Sequence, residues 1–352
     1  MTIFSLSDNS ESTLPKGKAD FLLAASVSAT CEIEGITQAG IPGKIPLTPT
    51  LDAEFLLTGR VFSLDNMAET ATGIPTPGLL TRAVHTLSPF ADIKVIDLGL
   101  TTTPQQVALV ELGLAPSPSI TETRPFDAKA VFEKGRSFAH SYKPCGAYVI
   151  LGESTPAGTT TAQAALSAMG LKSEGLFASS FKKAPLALKA ETIEKALSKL
   201  TPEMSIYEKL GHTADQTLLF TAGFMLEASK RFSVVLAGGT QMAAALLIAD
   251  KLSTKESIWF DPRRITLCTT RWIAKDGASN INALLEQLSF RVKAVYADFL
   301  YEDAQLPVLK LYDEGEAKEG VGAGGAIAYA YMQGVSQARI TQQVEQLMRG
   351  EL

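Results

Sequence analysis

The sequence has few of the residues that build metal centres and disulfide frameworks. Its 352 residues include only three cysteines and three histidines. Cys31, Cys145 and Cys268 stand far apart, with no C-x-x-C pair. This pattern favours neither a zinc site nor a disulfide framework. We therefore expect cytoplasmic chemistry without a metal.

Clusters of basic residues and long apolar runs are also missing. The net charge is −5, from 32 basic and 37 acidic residues, and no Lys/Arg cluster offers a surface for nucleic acid. The N-terminus lacks the basic segment and apolar run that are typical of a signal peptide. The most apolar stretch, 234–249, contains two glycines and is shorter than the ~20 residues that span a bilayer. The sequence predicts no nucleic-acid partner and no membrane segment.

From about Ile93 onward, short apolar runs alternate with helical patterns. This alternation predicts an α/β fold with a Rossmann-like, mostly parallel sheet and helices on both faces. Strands are predicted at IKVIDLGL, AYVILG, GLFASS, FSVVLAGG, RITLCTT and VKAVYADF. Helices are predicted at TPQQVALVEL (capped by Thr103), near Thr160, and at AETIEKALSKL, DQTLLFTAGFMLEASKRF, TQMAAALLIADKL, INALLEQL and SQARITQQVEQLMRG.

The chain divides by composition into three regions. Residues 1–18 are polar and are predicted to form a flexible arm. Residues 19–88 contain proline-rich turns and are predicted to form a smaller element, which the C-terminal helix in 336–352 completes. Residues 89–335 are predicted to form the α/β nucleotide-binding catalytic domain.

The segment LGESTPAGTTTAQAAL predicts a strand, a glycine turn and the start of a helix. Thr159, Thr160 and Thr161 follow Gly158 where a Walker loop would have its lysine, so ATP hydrolysis is disfavoured. A helix N-terminus beyond the carboxyl end of a strand can still hold a monophosphate through backbone N–H groups. A threonine-capped helix start without any ligand would look the same.

Two further features could contribute to such a site. Gly238 and Gly239 follow a predicted strand, and Thr240 can begin the next helix, although close helix–strand packing would also explain the glycines. Lys189 lies near the start of a predicted helix. It is either a solvated surface charge or the cation that the threonine loop lacks.

Two carboxylates stand beside these glycine turns. Glu319 precedes Gly320 in KEGVGAGGAIA, where the density of glycine indicates that something approaches the backbone closely. Glu319 is a candidate general base for a substrate N–H, or an ordinary carboxylate at a helix N-terminus. Glu153 follows Gly152, and inside a pocket it would accept hydrogen bonds with a pKa raised by burial.

Taken in order, four segments resemble motifs of the nicotinate-nucleotide:dimethylbenzimidazole phosphoribosyltransferase family, in particular its branch in archaea and cyanobacteria. GESTPAGTTTAQAAL is similar to the family's G-E-M-G-I-G-N-T-T-x-A-A-A loop, and ASSFKKAPLALK to G-T-G-L-x-x-x-G-x-x-x-K. LAGGTQMAAALL is similar to L-D-G-F-x-x-x-A-A-A-L, and KEGVGAGGAIA to G-E-G-T-G-A-A-L-A.

The resemblance implies that nicotinate mononucleotide donates its phosphoribosyl group to a benzimidazole or similar base, giving an α-ribotide for the lower ligand of a cobamide. It implies small-molecule substrates, no cofactor and a homodimer. Glu319 corresponds to the general base and Glu153 to a second active-site carboxylate. The phosphate and nucleotide are expected to contact Gly158, Thr159, Thr160, Thr161, Lys189, Gly238, Gly239, Thr240 and Gly320.

Departures from the motifs leave alternatives open. The phosphate loop has STPAGT, and Ala237 stands where the family has an aspartate. The acceptor could be dimethylbenzimidazole, adenine or another base. The other hypotheses are a transferase with a different donor or acceptor and a nucleotide-binding protein without turnover. A phosphoribosyl-pyrophosphate enzyme is disfavoured, because no acidic pair precedes GTTT.

Overall fold

The chain is built on an eight-stranded sheet that is parallel except at one edge. The computed structural model describes residues 2–65, 67 and 69–351. Within that part of the chain the strands are β1 (Ile3–Ser5), β2 (Ala19–Ala25), β3 (Asp92–Asp97), β4 (Leu109–Glu111), β5 (Tyr148–Ser154), β6 (Val234–Ala237), β7 (Ile265–Thr270) and β8 (Lys293–Ala297).

The strand order is β1-β8-β7-β6-β5-β2-β3-β4, with β1 antiparallel to β8. From β2 the chain adds strands in one direction through β4, and from β5 it adds strands in the other direction through β8. The order therefore reverses between β2 and β5, whose ends are in register at Ala25 and Ser154. Parallel sheets bind ligands in the crevice at such a switch point.

Helices cover both faces of the sheet. They are α1 (Thr48–Thr58), α2 (Gly78–Leu87), α3 (Ala128–Ser141), α4 (Gly158–Ala168), α5 (Leu186–Leu197), α6 (Ile206–Thr213), α7 (Gln216–Ala228), α8 (Thr240–Glu256), α9 (Arg271–Ala274), α10 (Ile281–Leu285), α11 (Lys310–Asp313), α12 (Ala323–Met332) and α13 (Gln337–Met348). None of the helices described is long and apolar enough to cross a membrane.

Strand β2 shows how the sheet divides two hydrophobic cores. Phe21 and Leu23 pack into the core with α1, α2, α12 and α13, whereas Leu22 and Ala24 pack into the core with α3, α4, α7 and α8. Successive side chains of a strand point to opposite faces, so a strand covered on both faces must be apolar throughout. The run FLLAA meets that requirement.

The predicted α/β class with a mostly parallel sheet is confirmed. Two predicted elements were wrong. TPQQVALVEL is not a helix; Gln106 has a φ of +58°, and Leu109–Glu111 pairs with β3 as the edge strand β4. GLFASS is a loop, because both edges of β5 are already paired, with β2 and with β6.

The predicted separation at residue 88 also needs correction. Strand β2 comes from the segment predicted to form a smaller element, yet it lies inside the sheet between β5 and β3. Within the predicted N-terminal arm, Ile3–Ser5 pairs with β8. The proline-rich composition of the first ninety residues led to the prediction of a separate element there, although the apolar strand β2 within them belongs to the sheet.

Helices α3 and α7 approach each other through two glycines. A Cβ on Gly223 would lie 2.1 Å from the carbonyl oxygen of Phe132, and a Cβ on Gly135 would lie 2.3 Å from that of Phe220. Backbone atoms cannot move aside as the end of a flexible side chain can. The small residues therefore set the distance between the two helices.

We expect Gly223→Ala to lower the free energy of unfolding by about 2 kcal/mol or more, because the added methyl group overlaps backbone. Without that overlap, alanine in a helix would stabilise by up to ~1 kcal/mol relative to glycine. Urea unfolding measures the difference. Gly277→Ala is the control, since a Cβ there meets no atom within 4 Å. A stabilised Gly223→Ala protein would contradict the close packing.

Candidate active site

Two adjoining cavities lie where β2 and β5 end. They are similar in size, at about 580 and 610 Å³ of space that includes open solvent. Both are lined by Glu153, Thr155 and Glu319. We call the first the carboxylate cavity, since Asp52 also lines it, and the second the phosphate cavity, since the start of α4 lines it.

Glu319 lies in the turn before α12, with its carboxylate held by four donors. Thr269 Oγ1 and Thr270 N donate to Oε2 at 3.2 and 3.0 Å. The backbone N–H groups of Gly320 and Gly324 donate to Oε1, both at 3.2 Å. Burial raises the pKa of Glu319 to about 7, against the opposing effect of these hydrogen bonds. Its carboxyl group can therefore change protonation state near neutral pH.

The glycines after Glu319 allow the turn to pack against the sheet. A Cβ on Gly324 would lie 2.2 Å from the backbone carbonyl carbon of Thr269. Gly322 has a φ of +68°, and a Cβ there would lie 3.0 Å from the ring of Phe21. The close approach predicted from the glycine density is thus made by the backbone of β7 and by an aromatic ring of β2.

Glu153 is the second of the candidate catalytic carboxyl groups. It lies at the end of β5, is 8% exposed, and its backbone carbonyl accepts a hydrogen bond from Val321 N at 2.8 Å. Burial, followed by the charges of Asp215, Glu319 and Asp52, raises the pKa of Glu153 to about 8. Its side chain is therefore mostly protonated at neutral pH and can donate a hydrogen bond.

Asp52 is a site residue that the sequence reasoning missed. It lies on α1, and its carboxylate accepts hydrogen bonds from Thr76 Oγ1 and Ser154 Oγ, each at 2.6 Å. Burial raises its pKa to about 6, while the two hydroxyl donors lower it. A carboxylate inside the apolar run TLDAEFLL was the available signal, because buried acids need partners.

The phosphate cavity contains the start of α4, where Gly158 and Thr159 line the wall. Lys189 Nζ donates to Thr159 Oγ1 at 3.0 Å, and the lysine is 5% exposed. Burial, together with the charge of Lys318, lowers the pKa of Lys189 to about 8. Of the two alternatives that the sequence left open, the structure shows Lys189 at the threonine loop and not on the surface.

The other two threonines of the loop do not line either cavity. Thr161 Oγ1 donates to Asp215 Oδ2 at 2.6 Å, and Thr160 is fully buried. Consecutive residues of an α-helix point about 100° apart, so three in a row cannot face one ligand. Of the three threonines expected to contact the phosphate, Thr159 alone lines the cavity, and the side chains of Thr160 and Thr161 turn away from it.

The second glycine cluster is divided in the same way. Gly239 and Thr240 line the phosphate cavity, at the start of α8. Gly238 does not; a Cβ there would lie 2.6 Å from Cγ of Met242, so its role is close packing. Gly320 lines the carboxylate cavity, next to Glu319, rather than the phosphate cavity.

Lys318 and Gln241 also line the phosphate cavity, and the sequence reasoning missed both. A Cβ on Gly158 would lie 2.1 Å from Oε1 of Gln241, so glycine is needed for this amide to cover the start of α4. The position of Lys318 beside Glu319 was the only sequence signal for it.

Three hydroxyl groups join the elements at the switch point. Ser26 follows β2, Thr155 follows β5, and Thr217 lies in the first turn of α7. Their oxygens are 2.8–3.1 Å apart, and all three side chains are buried. This network holds the side chain of Thr155, which lines both cavities.

Comparisons with known proteins identify the family of the chain. A family model described as phosphoribosyltransferase matches residues 81–262, just over half of the chain. A UPF0284 protein of Archaeoglobus fulgidus is 34% identical over 343 residues, which cover 96% of this chain and 95% of that protein. A UPF0284 protein of Gloeobacter violaceus is 31% identical and covers 92% and 86%.

Solved structures with the same fold are more distant in sequence. CobT from Thermus thermophilus has a TM-score of 0.58 and 17% identity, covering 94% of this chain and 84% of that one. The nicotinate-nucleotide-dimethylbenzimidazole phosphoribosyltransferase of the same organism has a TM-score of 0.54 and 16% identity, covering 95% and 86%. At these identities the likeness establishes the fold alone.

The raised pKa of Glu153 predicts how stability depends on pH. Its folded-state pKa of about 8 lies above the ordinary value of 4.5, so ionisation opposes folding. This contribution to stability is present below pH 4.5 and is lost as the pH rises toward 8. We expect the unfolding free energy to fall from about pH 5 to about pH 8, and Glu153→Gln to reduce that fall by about 1 kcal/mol or more.

Urea unfolding at the two pH values is the measurement, with Glu174→Gln as the control because Glu174 is exposed. Equal pH dependence in Glu153→Gln and the wild-type protein would show that Glu153 ionises normally.

Proposed function

The chain belongs to the phosphoribosyltransferase family that its motifs resemble, and on this premise we propose that it transfers the phosphoribosyl group of nicotinate mononucleotide to an aromatic base. The acceptor in this proposal is a benzimidazole or a purine. The product is an α-ribotide for the lower ligand of a cobamide.

One observation carries the proposal: a cavity with two candidate catalytic carboxyl groups adjoins a cavity with a helix N-terminus and a buried lysine. Glu153 and Glu319 line both cavities, whereas Thr159 lines only the second, where its hydroxyl accepts a hydrogen bond from the buried Lys189. A mononucleotide with its phosphate at the start of α4 would direct its ribose toward the carboxyl groups. The carboxylate cavity would then hold the acceptor base.

The proposed reaction balances with the groups at hand. A ring nitrogen of the acceptor attacks C1′, the bond from C1′ to the pyridinium nitrogen breaks, and its electron pair remains on nicotinate. The other ring nitrogen of the acceptor loses its proton to Glu319. A base with a pKa of about 7 suits proton transfer at neutral pH. The scheme uses no cofactor.

Glu153 has a different part in this scheme. With a pKa of about 8 it carries its proton at neutral pH and can donate a hydrogen bond to a ribose hydroxyl or to the acceptor ring. Positioning of this kind is the main requirement when the leaving group is already good. We further propose that the protein is a homodimer, as the resemblance implies; light scattering measures the mass.

We expect purified protein to release nicotinate from nicotinate mononucleotide only when an acceptor base is added. Dimethylbenzimidazole and adenine are offered in parallel, and chromatography follows nicotinate and the ribotide. Glu319→Gln should lower kcat by about 100-fold or more, since a missing general base typically accounts for roughly 10²–10⁴-fold. Its affinity for the nucleotide, measured by calorimetry, should stay within about threefold of the wild-type value.

Glu174→Gln is the matched control, as an exposed glutamate with the same change. A larger kcat loss in Glu153→Gln than in Glu319→Gln would move the base to Glu153. Binding of the nucleotide without any release of nicotinate, with either acceptor, would contradict the proposed reaction.

A further inference from the structure

Lys318 is a buried lysine that has no role in the proposed reaction. It immediately precedes Glu319 in the chain, is 5% exposed, and lines the phosphate cavity. Glu319 reaches both cavities, but Lys318 lines only the phosphate cavity. A fully buried lysine is rare unless its charge is paired, so its partners decide what it does there.

The contacts of the Lys318 ammonium group are all long. Nζ lies 3.3 Å from the carbonyl oxygen of Ser179 and 3.4 Å from that of Phe181. Asp276 Oδ2 lies 3.4 Å away. Hydrogen bonds from a charged nitrogen to an anionic oxygen normally measure about 2.7–2.9 Å. The ammonium group is therefore kept in place without being tightly bound, and a closer anionic oxygen would be a better partner.

The charge in the cavity also favours a second cation at the phosphate. A phosphate monoester carries about −1.5 to −2 at pH 7, more than one lysine neutralises. Lys189 and Lys318 are two cations at this end of the site, against the one carboxylate of Asp276, and the charge of Lys318 helps to lower the pKa of Lys189. An anion bound near two ammonium groups that repel each other would stabilise the charged form of both.

Gln241 gives an independent sign of a ligand in the same cavity. It is 5% exposed, lines the cavity, and covers Gly158 at the start of α4. Its Nε2 has no hydrogen-bond partner in the part of the chain that the structure describes. Leaving a buried amide donor unpaired is unfavourable, whereas a phosphate oxygen would accept its hydrogen bond.

We propose that Lys318 is a second phosphate-binding cation, which with Lys189 and the amide of Gln241 selects a mononucleotide dianion over the uncharged nucleoside. The inference rests on the proposed function for the identity of the nucleotide. In the family motif that KEGVGAGGAIA resembles, glycine stands at this position, so that motif does not include this cation.

The test compares binding of nicotinate mononucleotide and nicotinate riboside by calorimetry. We expect Lys318→Met to weaken mononucleotide binding by about 10- to 100-fold, the loss of one charged hydrogen bond, and riboside binding by less than about twofold. Lys189→Met should give a loss of the same kind, and Lys318→Arg should keep most of the affinity. Lys182→Met is the control, because Lys182 is an exposed lysine paired with Glu314.

Equal weakening of both ligands in Lys318→Met would overturn the proposal, and so would unchanged binding of the mononucleotide. If Lys318→Met does not fold, Gln241→Leu replaces it, with an expected loss of about fivefold for the mononucleotide only. Inorganic phosphate is a third probe that does not depend on the nucleotide. The two proposals can fail separately. If the wild-type protein releases no nicotinate, the proposed reaction is refuted. If Lys318→Met nevertheless binds inorganic phosphate more weakly than the wild type does, the phosphate site is supported.

Discussion

The burial of carboxyl groups at the ends of β2 and β5, to which charge repulsion adds at Glu153, is the constraint on which the site depends. Asp52, Glu153, Asp215 and Glu319 lie close enough for three of them to raise the pKa of the fourth, Glu153. Each of the other three has donors that offset part of its burial. The carboxylate of Glu319 accepts hydrogen bonds from two backbone N–H groups of the α12 turn. The carboxylate of Asp52 accepts from two hydroxyl groups, and that of Asp215 accepts from the hydroxyl of Thr161. Glu153 has the fewest hydrogen-bond donors to offset its burial, and its pKa is therefore the highest of the four.

The same cluster explains why the cations stand at the other end of the site. Lys318 lines the phosphate cavity, and the ammonium group of Lys189 donates to Thr159 in the wall of that cavity, at the start of α4. Among the described residues, their polar partners are a threonine hydroxyl, backbone carbonyls and Asp276, and none is a member of the acidic cluster. The two lysines are thus held apart from the acidic cluster and form no ion pair with its members. A ligand with an anionic end and an N–H at the other end matches this separation.

Close packing by small residues makes the separation possible. Gly324 lets α12 begin against the backbone of β7, which aims two N–H groups at Glu319. Gly158 lets Gln241 cover the start of α4. In both places a methyl group would displace the donors that set the charge of the site, so packing and electrostatics cannot be changed independently.

The sequence by itself determined the α/β class, five of the strands from β3 to β8, and the segments in which Glu153, Thr159, Lys189 and Glu319 are found. These follow from hydrophobic periodicity and from glycines at strand ends, which are local properties. Tertiary structure alone decided that β2 completes the sheet, that 109–111 pairs as β4 and that GLFASS stays a loop, because pairing depends on which strand edges are free. It also decided that Thr160 and Thr161 turn away while Asp52, Gln241 and Lys318 turn in. Side-chain direction at a site is set by packing between segments distant in the chain, which no local pattern records.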